Sequence, residues 1–270
     1  MVTSRDRRAR LLLALAVLLL PAQFARADDV RVMTSGAFTA AYLQLGPQFE
    51  RATGHRLVTE ATSMGTGATS IEARLAAGEA VDVVIVADAA LEQLVASGRI
   101  IPGTRVPLAR SQIGMAVRRG APKPDIHSLD ALRQTLLSAK SIAYSASVSG
   151  TYLSTELFQR LGVADEVLPK SRRIERERVA AVVARGEAEI GFQQISELRP
   201  VKGIDIVGEL PPGAQIVTVF AAGIPTTSKQ PEAAKALIRW LASPAAYAVI
   251  KKTGLEPVAP QGSSLQTPAR

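Results

Sequence analysis

The chain has 270 residues, 47% of them hydrophobic and 21% charged. That balance supplies a buried core and excludes a disordered or collagen-like polypeptide. There is no cysteine, and His55 and His127 are the two histidines. Disulfides, thiolate metal sites and cysteine nucleophiles are therefore excluded, and little is left for imidazole chemistry. The formal net charge is +8. Much of it sits in residues 1–27, where Arg5, Arg7, Arg8, Arg10 and Arg26 face only Asp6. The remainder is mildly basic, without the dense positive face of a nucleic-acid binder.

The first segment reads as an export signal. Met1–Arg10 is a basic n-region, Leu11–Leu20 is an unbroken apolar run, and Pro21 interrupts it. Ala25-Arg26-Ala27 then places small residues where a signal peptidase reads, so cleavage after Ala27 and a periplasmic location are expected. Ten apolar residues are too few for a bilayer core that needs about 20. Arg7-Arg8 adds the twin-arginine route as an alternative to the general one.

The following pattern alternates short β-branched runs with helical periods, which predicts an α/β fold with parallel strands. Val30–Met33 reads as a strand, followed by a helix over Ala37–Thr53 with Phe38, Tyr42, Leu45 and Phe49 on one face. Arg56–Ala61 is a strand, Ala68–Ala77 a helix, Val81–Val86 a fully buried strand and Ala89–Ser97 a helix. Gly54 stands where a helix C-cap belongs, and Gly78 and Gly98 close the next two helices. Strands are expected at Ile113–Val117, Ser141–Tyr144, Ile190–Phe192, Ile204–Val207 and Ile216–Ala222. Helices are expected from Ser128 as N-cap to Ser138, and over Ser149–Leu161, Arg178–Arg185, Pro231–Leu241 and Pro244–Lys252. No linker separates two sequential domains. The expected division is residues 1–27 as signal, 28–110 with 215–258 as one lobe, 111–214 as the second, and 259–270 as a polar tail.

Three strand-to-helix turns share one chemistry: Thr34-Ser35-Gly36, Met64-Gly65-Thr66-Gly67 and Ser147-Val148-Ser149-Gly150-Thr151. Glycine allows close backbone approach, helix N-termini offer unpaired N–H groups, and hydroxyls add neutral donors. Together they suit an oxyanion held at the carboxyl ends of the strands. The plainer alternative is that each hydroxyl only caps a helix. The run Arg172-Arg173-Ile174-Glu175-Arg176-Glu177-Arg178 reads either as a solvated, self-paired surface or as the source of one guanidinium that grips a carboxylate. Asp88 fits an N-cap, whereas Asp82 is open between a structural and a functional role.

Two segments carry a family resemblance. Gly78-Glu79-Ala80-Val81-Asp82-Val83-Val84-Ile85-Val86-Ala87-Asp88 and Ser228-Lys229-Gln230-Pro231-Glu232-Ala233-Ala234, with Leu241-Ala242-Ser243-Pro244 beyond, resemble signatures of the periplasmic molybdate-binding proteins of ABC importers. The resemblance spans most of residues 30–256. It implies a two-lobed type 2 periplasmic binding protein fold, each lobe a doubly wound sheet, closing on an anion. Ser35 matches the serine of that family's first turn, and the Thr66–Thr69 region its second. Gly67 and Ala68 align with the family's paired serines, and Gln194 stands where it has a tyrosine. Arg176 falls near a loop position that contacts ligand.

The expected ligand site is therefore Ser35, Gly36, Thr66, Gly67, Ser149, Gly150, Thr151, Arg176 and Gln194. Neither a metal nor a cofactor is expected; molybdate or tungstate would be held as an oxyanion. The expected role is capture of that oxyanion for an ABC importer permease by a monomer that performs no chemical step. A small organic di- or tricarboxylate is the alternative ligand, and a secreted carboxylate-dependent hydrolase the alternative activity. If the signal is processed as read, N-terminal sequencing of the periplasmic protein begins at Asp28; an uncleaved cytoplasmic product would refute export.

Overall fold

The computed structural model describes residues 28–60 and 67–259. Strand β1 (Asp29–Thr34) leads into helix α1 (Gly36–Thr53), and β2 (Arg56–Glu60) pairs parallel to β1. After α2 (Ile71–Ala76), β3 (Val83–Ala87) joins the other edge of β1 in parallel, and α3 (Asp88–Ala96) follows it. Strand β4 (Val106–Arg118) is thirteen residues long. Beyond it come α4 (Leu129–Ser138), β5 (Ile142–Ser145), α5 (Val148–Tyr152) and β6 (Ser171–Ile174). The chain continues through α6 (Val179–Ala184), β7 (Ile190–Gln194), α7 (Ile195–Leu198) and β8 (Ile204–Glu209). It returns through β9 (Val217–Gly223), α8 (Pro231–Leu241), α9 (Tyr247–Lys252) and the short β10 (Glu256–Pro257).

The strand order is β2-β1-β3-β9-β4-β7-β5-β6, with β8 and β10 also pairing to β4. The expected α/β class holds, but the sheet is mixed rather than parallel. Strand β9 runs antiparallel to both β3 and β4, and β4 is antiparallel to β7 and β8. The reason lies in β4, which the apolar run Ile113–Val117 only half revealed. Its residues from Val106 to Gln112 pair with β9, and those from Ile113 to Val117 pair with β7. One strand thus serves both halves of the molecule. At the changeover the Gln215 side chain accepts a hydrogen bond from Ile113 N and donates one to Ile113 O, both at 2.9 Å. It supplies the acceptor for Ile113 N and shares Ile113 O with Leu210 N, which donates to it at 3.0 Å.

Each half buries apolar side chains on both faces of its sheet. In the first, Phe38, Tyr42, Leu45 and Phe49 of α1 pack with Leu237 and Leu241 of α8 on one side of the sheet. Leu75 of α2 and Leu91 of α3 pack against Val84 and Val86 on the other. In the second half, Leu132 and Leu136 of α4 meet Ile142, Phe158 and Phe192, while Val179 and Val183 of α6 pack with Ile195 and Leu198 of α7. The arrangement is the two-lobed fold of type 2 periplasmic binding proteins.

Several boundaries differ from the sequence reading for local reasons. The second helix begins at Ile71, because Ser70 caps it by accepting from Ala73 N at 3.2 Å. Residues 171–174 form the edge strand β6, with Arg172 and Arg173 exposed and only Ile174 buried. A run that polar does not announce a strand. Glycine closes each helix as expected: Gly54 is the C-cap of α1, and Gly78 and Gly98 directly follow the caps Ala77 and Ser97, all with φ between 70° and 78°. Helix α5 continues as a π-helical turn over Leu153–Leu157 before regular helix resumes at Phe158–Arg160.

Asp82 has a structural role. Its carboxylate is buried and accepts from Arg31 N, Ser228 Oγ, Lys229 N and Gln230 N at 2.8–2.9 Å. It joins β1 to the segment that opens α8, so the two motifs of the resemblance are halves of one contact. Asp82→Ala would remove the acceptor shared by four part-buried donors, and a donor left buried and unpaired costs about 1–3 kcal/mol. The variant is expected to lose about 3 kcal/mol or more in urea unfolding; a loss below about 1 kcal/mol would refute this role.

Candidate ligand cleft

A cleft of about 1340 Å³ opens between the two halves. Its walls come from the carboxyl ends of β1, β3, β5 and β7 and the helices that follow them, the position where open α/β sheets present ligands. Thr34, Ser35, Gly36 and Thr39 line it from the β1–α1 turn, and Ser70 from the head of α2. Ser147 and Thr151 line it from the β5–α5 turn, with Gln194 and Glu197 from the end of β7 and the start of α7. Arg173, Glu175, Arg176, Glu177 and Arg178 contribute from the charged run.

Hydroxyl chemistry separates caps from candidate ligand donors. Ser70 and Ser128 cap their helices with side-chain hydrogen bonds. Ser35 and Ser147 sit at the same kind of position and make no such bond. Ser35 Oγ is buried and without a partner among the described residues. A buried hydroxyl left unpaired costs free energy, so a ligand atom there relieves a real deficit. The unpaired N–H groups at the start of α1, an 18-residue helix, point the same way.

The structure therefore brings Ser35, Gly36, Thr151, Arg176 and Gln194 to one cleft. Three other expected residues do not line it. Ser149 is fully buried, and its hydroxyl lies 3.2 Å from Ser145 Oγ and 3.3 Å from Ser147 Oγ, so it orients Ser147 instead of facing the cleft. Gly150 is buried against β5, where a Cβ would lie 1.6 Å from Ser145 O. Its small size lets the helix seat on the strand. Gly67 is exposed ahead of the delayed α2, where its carbonyl accepts from Ser70 N at 2.8 Å. Thr66 lies outside the described residues.

The charged run divides between its two readings. Arg172 pairs with Glu187 at 2.9 Å and Glu177 with Arg185 at 2.8 Å, which is the self-paired surface. Those guanidiniums hold the Glu187 carboxyl down to about 2. Arg173, Arg176 and Arg178 line the cleft and form no salt bridge among the described residues. Arg178 is the least exposed of the three and heads α6.

Glu197 is the feature that sequence reasoning missed. It is 3% exposed, lines the cleft, and approaches α1 so closely that a Cβ on Gly36 would lie 2.0 Å from its Oε1. Burial pushes its carboxyl up to about 7, against the opposing pull of Arg178 and a hydrogen bond from Gln193. Gln193 is held in turn by Val179 N, which donates to its Oε1 at 3.0 Å. Gln194 Nε2 donates to Thr218 Oγ1 at 3.2 Å, and its Oε1 has no partner among the described residues. The local signal for Glu197 was slight: a carboxylate between Ile195 and Leu198, both of them buried.

Comparison with known proteins gives this cleft its setting. Residues 30–256 match the model of the bacterial extracellular solute-binding proteins, and the chain belongs to that family. It is 48% identical over 231 residues to an aconitate isomerase of a Pseudomonas species, covering 85% of this chain and 88% of that protein. It is 29% identical over 258 residues to the molybdate-binding protein ModA of Azotobacter vinelandii, covering 91% and 96%. The solved periplasmic molybdate-binding protein of Azotobacter vinelandii superposes with a TM-score of 0.67 at 23% identity, over 86% of this chain and 100% of that one. The expectation of binding without a chemical step is overturned by the 48% relative, which bears an enzyme's name. Scarcity of histidine and cysteine misled that reading, because a buried carboxylate can move protons without either.

Glu197 also makes stability depend on pH. A glutamate titrates near 4.3 in an unfolded chain and near 7 at this position, so the fold favours its protonated form. Its contribution is complete below the unfolded value and is lost as pH rises through about 7. The neutral variant Glu197→Gln is expected to be more stable than wild type above pH 7, by up to about 3 kcal/mol, with the margin shrinking toward pH 5. Paired thermal melts across that range test it. A margin that does not change with pH would show that Glu197 titrates normally.

Proposed function

We propose that this protein is an exported isomerase for a small unsaturated polycarboxylate of the aconitate type, held between lobes comprising residues 28–110 with 215–258 and residues 111–214. The observation that carries the reading is the composition of the cleft wall. Arg173, Arg176 and Arg178 supply guanidiniums that form no salt bridge among the described residues, in the same cleft as neutral donors from Ser35 and Ser147. A tetrahedral oxyanion is satisfied by neutral N–H and O–H donors alone. A tricarboxylate is larger, carries more charge, and gains from planar guanidinium forks that match each carboxylate. The relative at 48% identity supports the same substrate class.

The chemistry asked of the cleft is modest. Aconitate has a methylene carbon beside its carbon–carbon double bond. Moving one proton from that carbon to the far end of the allylic unit shifts the double bond and interconverts the isomers. No oxidant, reductant or metal is required for the balance. The charge that develops spreads into the flanking carboxylates, where guanidiniums and helix-end N–H groups stabilise it. Lobe closure about β4 and the start of β9 would exclude water and strengthen those interactions.

The purified chain is expected to convert cis-aconitate to an equilibrium mixture with the trans isomer, followed by proton NMR. Arg178→Ala is expected to weaken aconitate binding in calorimetry by about 1.5–3 kcal/mol, the usual worth of a charged hydrogen bond. Tight molybdate binding with no aconitate turnover would overturn the reading and return the cleft to anion capture.

A further inference from the structure

We propose that Glu197 is the general base of this cleft and that Gly36 is the notch that admits its carboxylate; the assignment rests on the isomerase reading above. The geometry supplies the first argument. The Glu197 carboxyl occupies the space a side chain at position 36 would need, beside the first turn of α1. A residue other than glycine there would force the carboxylate out of the cleft floor.

Elimination supplies the second. Among the described residues, the other carboxylates lining the cleft are Glu60, Glu72, Glu156, Glu175 and Glu177. Glu60 is paired with Arg31 at 3.1 Å and Arg74 at 3.3 Å, and Glu177 with Arg185. Glu72, Glu156 and Glu175 are exposed, where water competes for the proton. The histidines are occupied elsewhere. His55 Nδ1 accepts from Asp28 N at 3.2 Å, and His127 lies 2.8 Å from Asp125.

The surroundings of Glu197 fit the same role. A buried carboxylate normally has a salt-bridge partner or neutralises itself. Glu197 has no salt bridge among the described residues. Gly36 from α1 and Gln193 from β7 meet it as neutral groups, and Arg178 from the head of α6 is the charged group acting on it. Burial leaves its proton affinity near neutrality, where a general base is most effective.

The step balances within the substrate. The carboxylate takes a proton from the methylene carbon: one C–H bond breaks, an O–H bond forms, and the electron pair enters the allylic system. The O–H bond then breaks as a new C–H bond forms at the far allylic carbon. The double bond has moved one place and the carboxylate is restored.

Glu197→Gln is expected to lower kcat for aconitate isomerisation by about 100-fold or more. Its dissociation constant for aconitate by calorimetry should stay within about threefold of wild type, which separates lost chemistry from lost binding. Wild type should incorporate solvent deuterium into aconitate and the variant should not. The wild-type kcat/KM should rise with pH through an apparent pKa near 7. Glu197→Asp, which keeps the carboxylate, should recover part of the rate, and Gly36→Ala should lose rate by filling the notch. A Glu197→Gln protein that turns over within about threefold of wild type overturns the assignment while leaving the isomerase reading intact. A wild type that neither isomerises nor exchanges deuterium overturns both. If Glu197→Gln does not fold, unimpaired turnover and exchange by folded Gly36→Ala overturns the assignment.

Discussion

One strand supplies backbone hydrogen bonds to both halves of the molecule. Residues 106–112 of β4 belong to the sheet that includes β9, and residues 113–117 to the sheet that includes β7. A backbone polar group left unpaired in a buried strand is costly, so the changeover between partners must be accounted for. The Gln215 amide bonds both polar groups of Ile113, whose carbonyl also accepts from Leu210 N. Because the two halves share β4, the turns after β1 and β3 face those after β5 and β7 across a common cleft. The cleft is thus a consequence of sheet connectivity.

Within it, two kinds of recognition are layered. Neutral hydroxyls and helix-end N–H groups lie at the strand ends, and guanidiniums reach in from the charged run. Neutral donors discriminate through geometry and lose nothing to ionic screening, whereas exposed guanidiniums attract polyanions at a distance and weaken with salt. Glu197 is unusual in this company, since a carboxylate in an anion cleft opposes binding when ionised. Its high proton affinity reduces that opposition near neutrality and leaves it able to exchange a proton.

The strongest sequence signatures turn out to concern folding. The aspartate of one and the Ser-Lys-Gln of the other meet in the Asp82 network, which starts α8 and anchors it to β1. Such a contact can persist in proteins of quite different ligands, because its residues do not line the cleft. It accounts for why motif resemblance identified the fold securely and leaned toward the wrong degree of chemical inertness.

Helix periodicity at Phe38, Tyr42, Leu45 and Phe49, the apolar run at β3, and glycine at the helix ends were enough to determine the α/β class and most of the elements. Those signals are local: they depend on burial patterns within a few turns of chain. The turns at Ser35 and Ser147 were legible for the same reason, as hydroxyls beside glycine at strand ends. The β6 edge strand was hidden because its exposed arginines carry no alternation, and the antiparallel β9 because pairing direction depends on where the returning chain docks. Sequence could not tell which serines cap helices and which face the cleft, since both occupy the same local position and differ only in their distant neighbours. Glu197 and Gly36 are 161 positions apart, and neither is unusual alone. Only the tertiary packing of α7 against α1 buries the carboxylate in the space a glycine leaves, and burial, not residue type, sets its affinity for a proton.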